Sequence, residues 1–454
     1  MRRAWALLVV GSASAACDPV PFASVELALR APEGAGDRLR PASCDGASLS
    51  CLQLSRVLDG GDLEALSLTN EFWGPTKPLP LGTRKRDLEL ELFTGAPEAP
   101  TLLARADPVV IPAIDEQGSA VTLQRTAVLA AFDTVEPFAT DAPAADTAGA
   151  ACDDGVGNAW FFGAQAWSLS AATLEPRALE GLFAPDGASF ACAGLPQWPD
   201  DVDDVDEAPA PVAGRFFAFV GDCAGGGGGT LFTGTDAVDD SATIGAGAGC
   251  HVLVAARDHR LWVVQDDVVT VHDAATLERL ATQTTSTPAQ PFVDAIVRSD
   301  GAVLVAEADG GTRLFSHDDG SGIVELTGAN VAVARFVAID GAAWALTTGG
   351  MLRNVDVDGG SSDVPELGGL TDLRDVVALR DGTLIVLGTA DNDGTPFDAL
   401  AVMGAGHVVP TLVGRGRNSI TKTVGGAVLL WGGVAGVDVF VPSAPTLLAA
   451  RTGG

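Results

Sequence analysis

The chain has 454 residues, with 59 acidic against 27 basic side chains and a formal net charge of −32. A field of that sign repels phosphate backbones and anionic lipid headgroups, which excludes nucleic acid as a partner. With 47% hydrophobic and 19% charged residues the chain is too apolar for disorder, and its 55 glycines and 26 prolines favour many turns between short strands over long helices.

Residues 1–16 have the three parts of an export signal: Arg2-Arg3, a short apolar run from Ala4 to Val10, and small residues up to Ala16. The run is too short to span a bilayer. Ser14-Ala15-Ala16-Cys17 resembles the lipobox of bacterial lipoproteins, with Ser14 where that family usually carries Leu. The resemblance implies a lipid on Cys17 and a chain tethered to a membrane by that anchor alone. Ordinary cleavage after Ala13-Ser14-Ala15 is the competing reading, and it gives a periplasmic or secreted chain.

Setting Cys17 aside leaves six cysteines, Cys44, Cys51, Cys152, Cys192, Cys223 and Cys250, an even number suited to an oxidising compartment. Proximity suggests the pairs Cys44–Cys51, Cys152–Cys192 and Cys223–Cys250. None has the Cys-x-x-Cys spacing of a zinc site.

Residues 17–140 read as a small antiparallel β-sandwich. Asp87-Leu88-Glu89-Leu90-Glu91-Leu92 alternates with period two, which turns the leucines to a core and the acids to water. Ala23–Leu29, Cys51–Val57, Leu63–Leu68 and Thr126–Phe132 are further strand candidates. Residues 141–151, rich in Ala, Thr and Asp, read as a linker.

From 152 to 454 the chain repeats. Asp258-His259, Asp300-Gly301, Asp340-Gly341, Asp381-Gly382 and Gly425-Gly426 each precede an apolar run, with a large apolar residue four positions after the anchor: Trp262, Leu304, Trp344, Ile385 and Leu429. Asp-Gly before an apolar run is a hairpin turn, because Gly takes positive φ without steric cost. Ala171-Ala172-Thr173-Leu174-Glu175 recurs as Ala274-Ala275-Thr276-Leu277-Glu278, so Asp154-Gly155 opens a sixth unit. Phe216–Val220 and Thr230–Thr233, around Asp222, make a seventh, and Asp186-Gly187 is a candidate eighth anchor. Units of about 40 residues predict an all-β chain whose second domain is a β-propeller of about seven blades. Val271–Leu277 and Leu430-Trp431-Gly432-Gly433 resemble the segments of kelch blades. That resemblance implies a propeller and no particular activity.

No short catalytic motif occurs, and no catalytic residue is named. The run Gly225–Gly229 lacks the lysine of a phosphate loop and reads as a flexible or cystine-tethered loop. His251, His259, His272, His317 and His407 have no ligand spacing and read as ordinary strand and turn residues, so no metal site is assigned. Ca²⁺ is the one possible cofactor, at the acidic stretches 200–207, Asp356-Val357-Asp358-Gly359 or Asp391-Asn392-Asp393-Gly394. The expected function is a cell-envelope-anchored binding protein that presents its propeller to an envelope protein or glycan. The alternative is an exported propeller hydrolase or lyase acting on polysaccharide. An outer-membrane β-barrel is disfavoured by the absence of Tyr, since such barrels carry aromatic girdles.

Overall fold

The computed structural model describes the backbone of the strands between Phe22 and Val128, and most of residues 132–450 with side chains. Residues 1–21, the loops between the early strands, and the segments 140–148, 170–175, 183–187, 197–213, 223–227, 245–251, 286–290 and 363–368 are the longer stretches outside that description. Among the described residues no helix is long and apolar enough to cross a membrane.

The early strands form two sheets. One joins Phe22–Arg30 to Leu79–Pro80 and Val121–Val128, and the other holds five strands, including Arg86–Thr94 paired with Thr101–Ile111. Phe22–Arg30 runs parallel to Val121–Val128, within a domain expected to be antiparallel.

The rest is a ring of seven four-stranded antiparallel sheets. Blades 1 to 6 start with the strands Ala150–Asp153, Ser189–Pro196, Val252–Arg257, Phe292–Val297, Val333–Ile339 and Thr371–Ala378, and blade 7 starts with Ser419–Lys422. Each first strand touches the first strand of the next blade, and blade 7 returns to blade 1, so these seven strands line a central channel. Among the described residues the ring closes with seven sheets, and the candidate eighth anchor Asp186-Gly187 lies outside them.

The repeats are the turns between first and second strands. Gly301 and Gly382 hold φ of 78° and 81°, as the turn chemistry requires, and Asp258 takes the same left-handed region at 52°. The apolar position four after each anchor lies on the second strand, the middle of each blade's packing. Trp262, Leu304, Ile385 and Leu429 are buried there, and Trp344 is partly so. Trp262 also donates its indole N–H to the Gly301 carbonyl of the next blade at 3.1 Å, so one repeat reads the turn of its neighbour.

Asp222 is placed differently from the other anchors. It sits at the hairpin between the second and third strands of blade 2, not the first and second. Gly228 and Gly229, expected in a flexible loop, begin the third strand of that blade. There the Phe219 ring lies where a Cβ on Gly229 would stand.

The fourth strand of blade 7 comes from the far end of the domain. Val135–Ala139, expected at the end of the N-terminal domain, pairs with Val437–Phe440. Asp133 reinforces this closure, with its carboxylate accepting from the Ser443 amide and hydroxyl and from the Thr446 hydroxyl. A strand from one end of the ring hydrogen-bonded to three from the other leaves no gap between last and first blades.

Candidate functional site

The central channel gathers the polar chemistry of the first strands, and its two halves differ. Where first strands turn into second strands, the channel opens into a cavity of about 480 Å³ walled by blades 1 to 5. The walls are small apolar residues such as Ala193, Ala255, Ala295 and Ala338, while Asp153, Asp154, Arg257 and Asp258 supply the charge. Small side chains appear here because seven strands converge on one axis and leave room for little else.

The charges are held in place. Asp154 is buried and accepts from the Asn158 amide at 3.0 Å and from its side-chain nitrogen at 2.6 Å. Asp153 accepts from the Thr421 hydroxyl of blade 7. Arg257 lies 3.5 Å from Asp356 and 3.8 Å from Asp258. Asp356, one of the acidic turn residues considered for Ca²⁺, keeps only 6% of its side chain exposed. Its two oxygens accept the Ser299 and Ala343 amides of blades 4 and 5. Asp391 accepts the Gly394 amide, closing its own turn. The 200–207 stretch lies outside the described residues, in the connection between Pro196 and Gly214. Among the described residues no three His, Cys, Asp or Glu side chains gather as a metal-holding group.

The other half of the channel holds a pair of carboxylates that sequence reading left unnamed. Asp294 accepts the Phe336 amide of blade 5, and Asp375 accepts the Ile420 amide and the Ser419 hydroxyl of blade 7. Each is a clip from one first strand to the next. Arg335 is close enough to act on both charges. Its Nε donates to the Arg374 carbonyl, and Arg374 in turn donates to the Arg417 carbonyl. Burial pushes both carboxyls up, and the hydrogen bonds and Arg335 only partly offset it. Asp375 reaches about 6. Both acids stand six residues before an Asp-Gly anchor, a signal that would have found them. It is absent from the other repeats.

The shift at Asp375 carries a sign. The folded chain holds this proton more tightly than the unfolded chain, whose carboxyl titrates near 4. Stability from Asp375 is therefore complete below about pH 4 and is lost as pH rises through 6. Asp375→Asn, which mimics the protonated group, should melt like the parent at pH 4. At pH 7.5 it should be the more stable by about 1–3 kcal/mol. Paired thermal melts across pH 4–8 check this, and a difference independent of pH refutes it.

The histidines are scattered. His272 is buried between the Leu277 carbonyl and the Thr270 hydroxyl, and desolvation lowers its pKa. His317 contacts Arg260 in the preceding blade. His259 sits in the turn after Asp258, and His251 and the His407 side chain lie outside the described residues. Of the cysteines, Cys152 and Cys192 form a disulfide between the first strands of blades 1 and 2. Cys17, Cys44, Cys51, Cys223 and Cys250 lie outside the described residues.

No family model matches the chain, and no curated protein matches it either. The kelch-like segments thus stay a local resemblance. Solved structures do align with it. A chain of a mitotic checkpoint complex is 12% identical with a TM-score of 0.46, covering 69% of this chain and 95% of that one. The WD40 β-propeller domain of Doa1 is 13% identical with a TM-score of 0.42, over 69% and 97%. YCF48, solved with a D1 peptide, is 11% identical with a TM-score of 0.39, over 68% and 95%. Likenesses this distant carry no functional argument, and the seven blades rest on the sheet order itself.

Proposed function

We propose that the chain is an exported binding protein, tethered to a membrane of the cell envelope through a lipid on Cys17. The strands up to Val128 form a small sandwich that acts as a spacer, and the propeller, closed by Val135–Ala139, presents the channel mouth to an envelope protein or glycan. The observation that carries this reading is the open cavity where the first strands turn: concave, walled by alanines and rimmed by fixed charges. That combination receives a partner's side chain or sugar more readily than it performs a reaction. The Cys152–Cys192 disulfide supports export, since such bonds persist in oxidising compartments.

Ala338 is exposed on the cavity wall, so Ala338→Trp fills the mouth without touching the core. Cross-linking of the native chain in its membranes should capture a defined protein or glycan, and the variant should lose it while melting normally. Equal capture by both would sink this reading.

The second reading is a hydrolase or lyase acting on polysaccharide, and the raised Asp375 carboxyl favours it. A carboxyl pushed up to about 6 exchanges its proton closer to neutrality than an ordinary carboxylate, as proton transfer to a leaving oxygen needs. Cleavage of a glycan panel, abolished by Asp375→Asn, decides for it.

A further inference from the structure

Every blade ends in an edge strand, whose unpaired N–H and C=O groups invite another strand unless something blunts them. Six of the seven edges are blunted. Blade 1 ends in a three-residue strand opening on Pro176, blade 5 in the three residues Gly360–Ser362, and blade 6 in a strand closing on Pro410. Blades 2, 3 and 7 each break register at the edge. The residues skipped are Asp239, Leu280 and Phe138, and blade 7 adds Pro137.

Among the described residues blade 4 has none of these devices. Gly322–Thr327 pairs with Thr312–Asp318 in unbroken register, from Arg313↔Thr327 to Asp318↔Gly322. Val324 and Leu326 are 45% and 46% exposed. Ile323 points the other way, into the core shared with blade 3. Leu326 lies opposite Leu314, which packs toward blade 5, so the two exposed residues overhang the groove between blades 4 and 5. Glu325, between them on the opposite face, sits 3.5 Å from Arg313 and stays partly exposed.

We propose that this edge is a docking site for one extended segment of another protein, added as a fifth strand to blade 4. Alternation fixes its chemistry. Apolar side chains at every second position cover Val324 and Leu326, and basic ones between them face Glu325 and the strongly acidic surface. A second copy of this chain fits poorly, because it would set two net charges of −32 edge to edge. The site is separate from the channel mouth.

The test titrates the full chain into a labelled decapeptide alternating Val and Lys. The expected result is saturable binding. The charge-neutral double variant Val324→Ser/Leu326→Ser should weaken it at least tenfold while keeping the parent's melting temperature. Ala338→Trp should leave it unchanged, so loss of the channel reading would not disturb this one. Equal binding by the double variant would mean attraction to acidic surface alone and would overturn the proposal. So would self-association of the free chain that the same variant abolishes.

Discussion

Replacing Asp438 by Ala should destabilise the propeller by about 3–5 kcal/mol. Asp438 and Arg417 are both fully buried, and the Arg417 Nε meets the Asp438 carboxylate at 2.7 Å. Desolvating the two charges is expensive, and their mutual attraction offsets that only while both are present. Removing the acid takes the Asp438 countercharge from a buried guanidinium that cannot shed its proton at any accessible pH. The Gly432 carbonyl still accepts from it but brings no countercharge. Place multiplies the effect. Asp438 lies on the third strand of blade 7, directly against Pro137 of the closing strand, between the buried Val437 and Val439. Arg417 accepts from Arg374 of blade 6 through its carbonyl. The pair thus sits where the ring is fastened. A denaturant series on the parent, Asp438→Ala, Arg417→Leu and the double variant measures the coupling. The double variant should be more stable than Asp438→Ala alone, because it buries no lone charge. A cost below 1 kcal/mol for Asp438→Ala would show that water reaches this pair.

The repeating part of the fold was legible because it rests on local chemistry. Asp300-Gly301 and Asp381-Gly382 announce turns through the one residue type that takes positive φ freely. The apolar residue four positions later must face the blade interior whatever else changes. Both rules act within a few residues, so they survive in sequence. The shared Ala-Ala-Thr-Leu-Glu segment extended the count to the diverged blade 1, whose hairpin does turn at Asp154. Asp222 misled because blade 2 puts a long connection, from Pro196 to Gly214, where the other blades put a tight turn.

What stayed hidden depends on closure in space. Val135–Ala139 alternates weakly and carries Pro137, so it reads as the tail of the domain before it. Its partner, Val437–Phe440, lies some three hundred residues away. The channel acids were hidden for a related reason. Asp294 and Asp375 are two among 59 acids, and nothing near them in sequence shows that first strands of separate blades meet at one axis. Asp356 reversed its expected role. An acidic turn residue reads as solvated, yet its carboxylate is buried because two backbone amides from neighbouring blades converge on it.

Separating Cys152 from Cys192 should cost about 4 kcal/mol, the second large effect. The bond joins the first strands of blades 1 and 2 across a sequence separation of 40, with the Cα atoms 5.9 Å apart. Chain-entropy arithmetic for a closed loop of that size gives about 4 kcal/mol of stabilisation through the unfolded state. The native side of the ledger adds little strain on removal, since Cys152 and Cys192 pack only at the margin of an aromatic core of Trp160, Phe162 and Phe216. Serine at both positions should therefore leave the folded ring intact and lower its melting point. The closing strand makes the outcome informative. Blade 1 is held on its far side by the Thr421–Asp153 contact with blade 7 and on its near side by this disulfide. If the bond clamps the seam beside the closure, hydrogen exchange in the serine variant should rise first in Ala150–Asp153 and Ser189–Pro196, ahead of blades 4 to 6. Uniform acceleration around the ring would instead place the whole effect in the unfolded chain, and an unchanged melting point would remove the disulfide from the account of stability altogether.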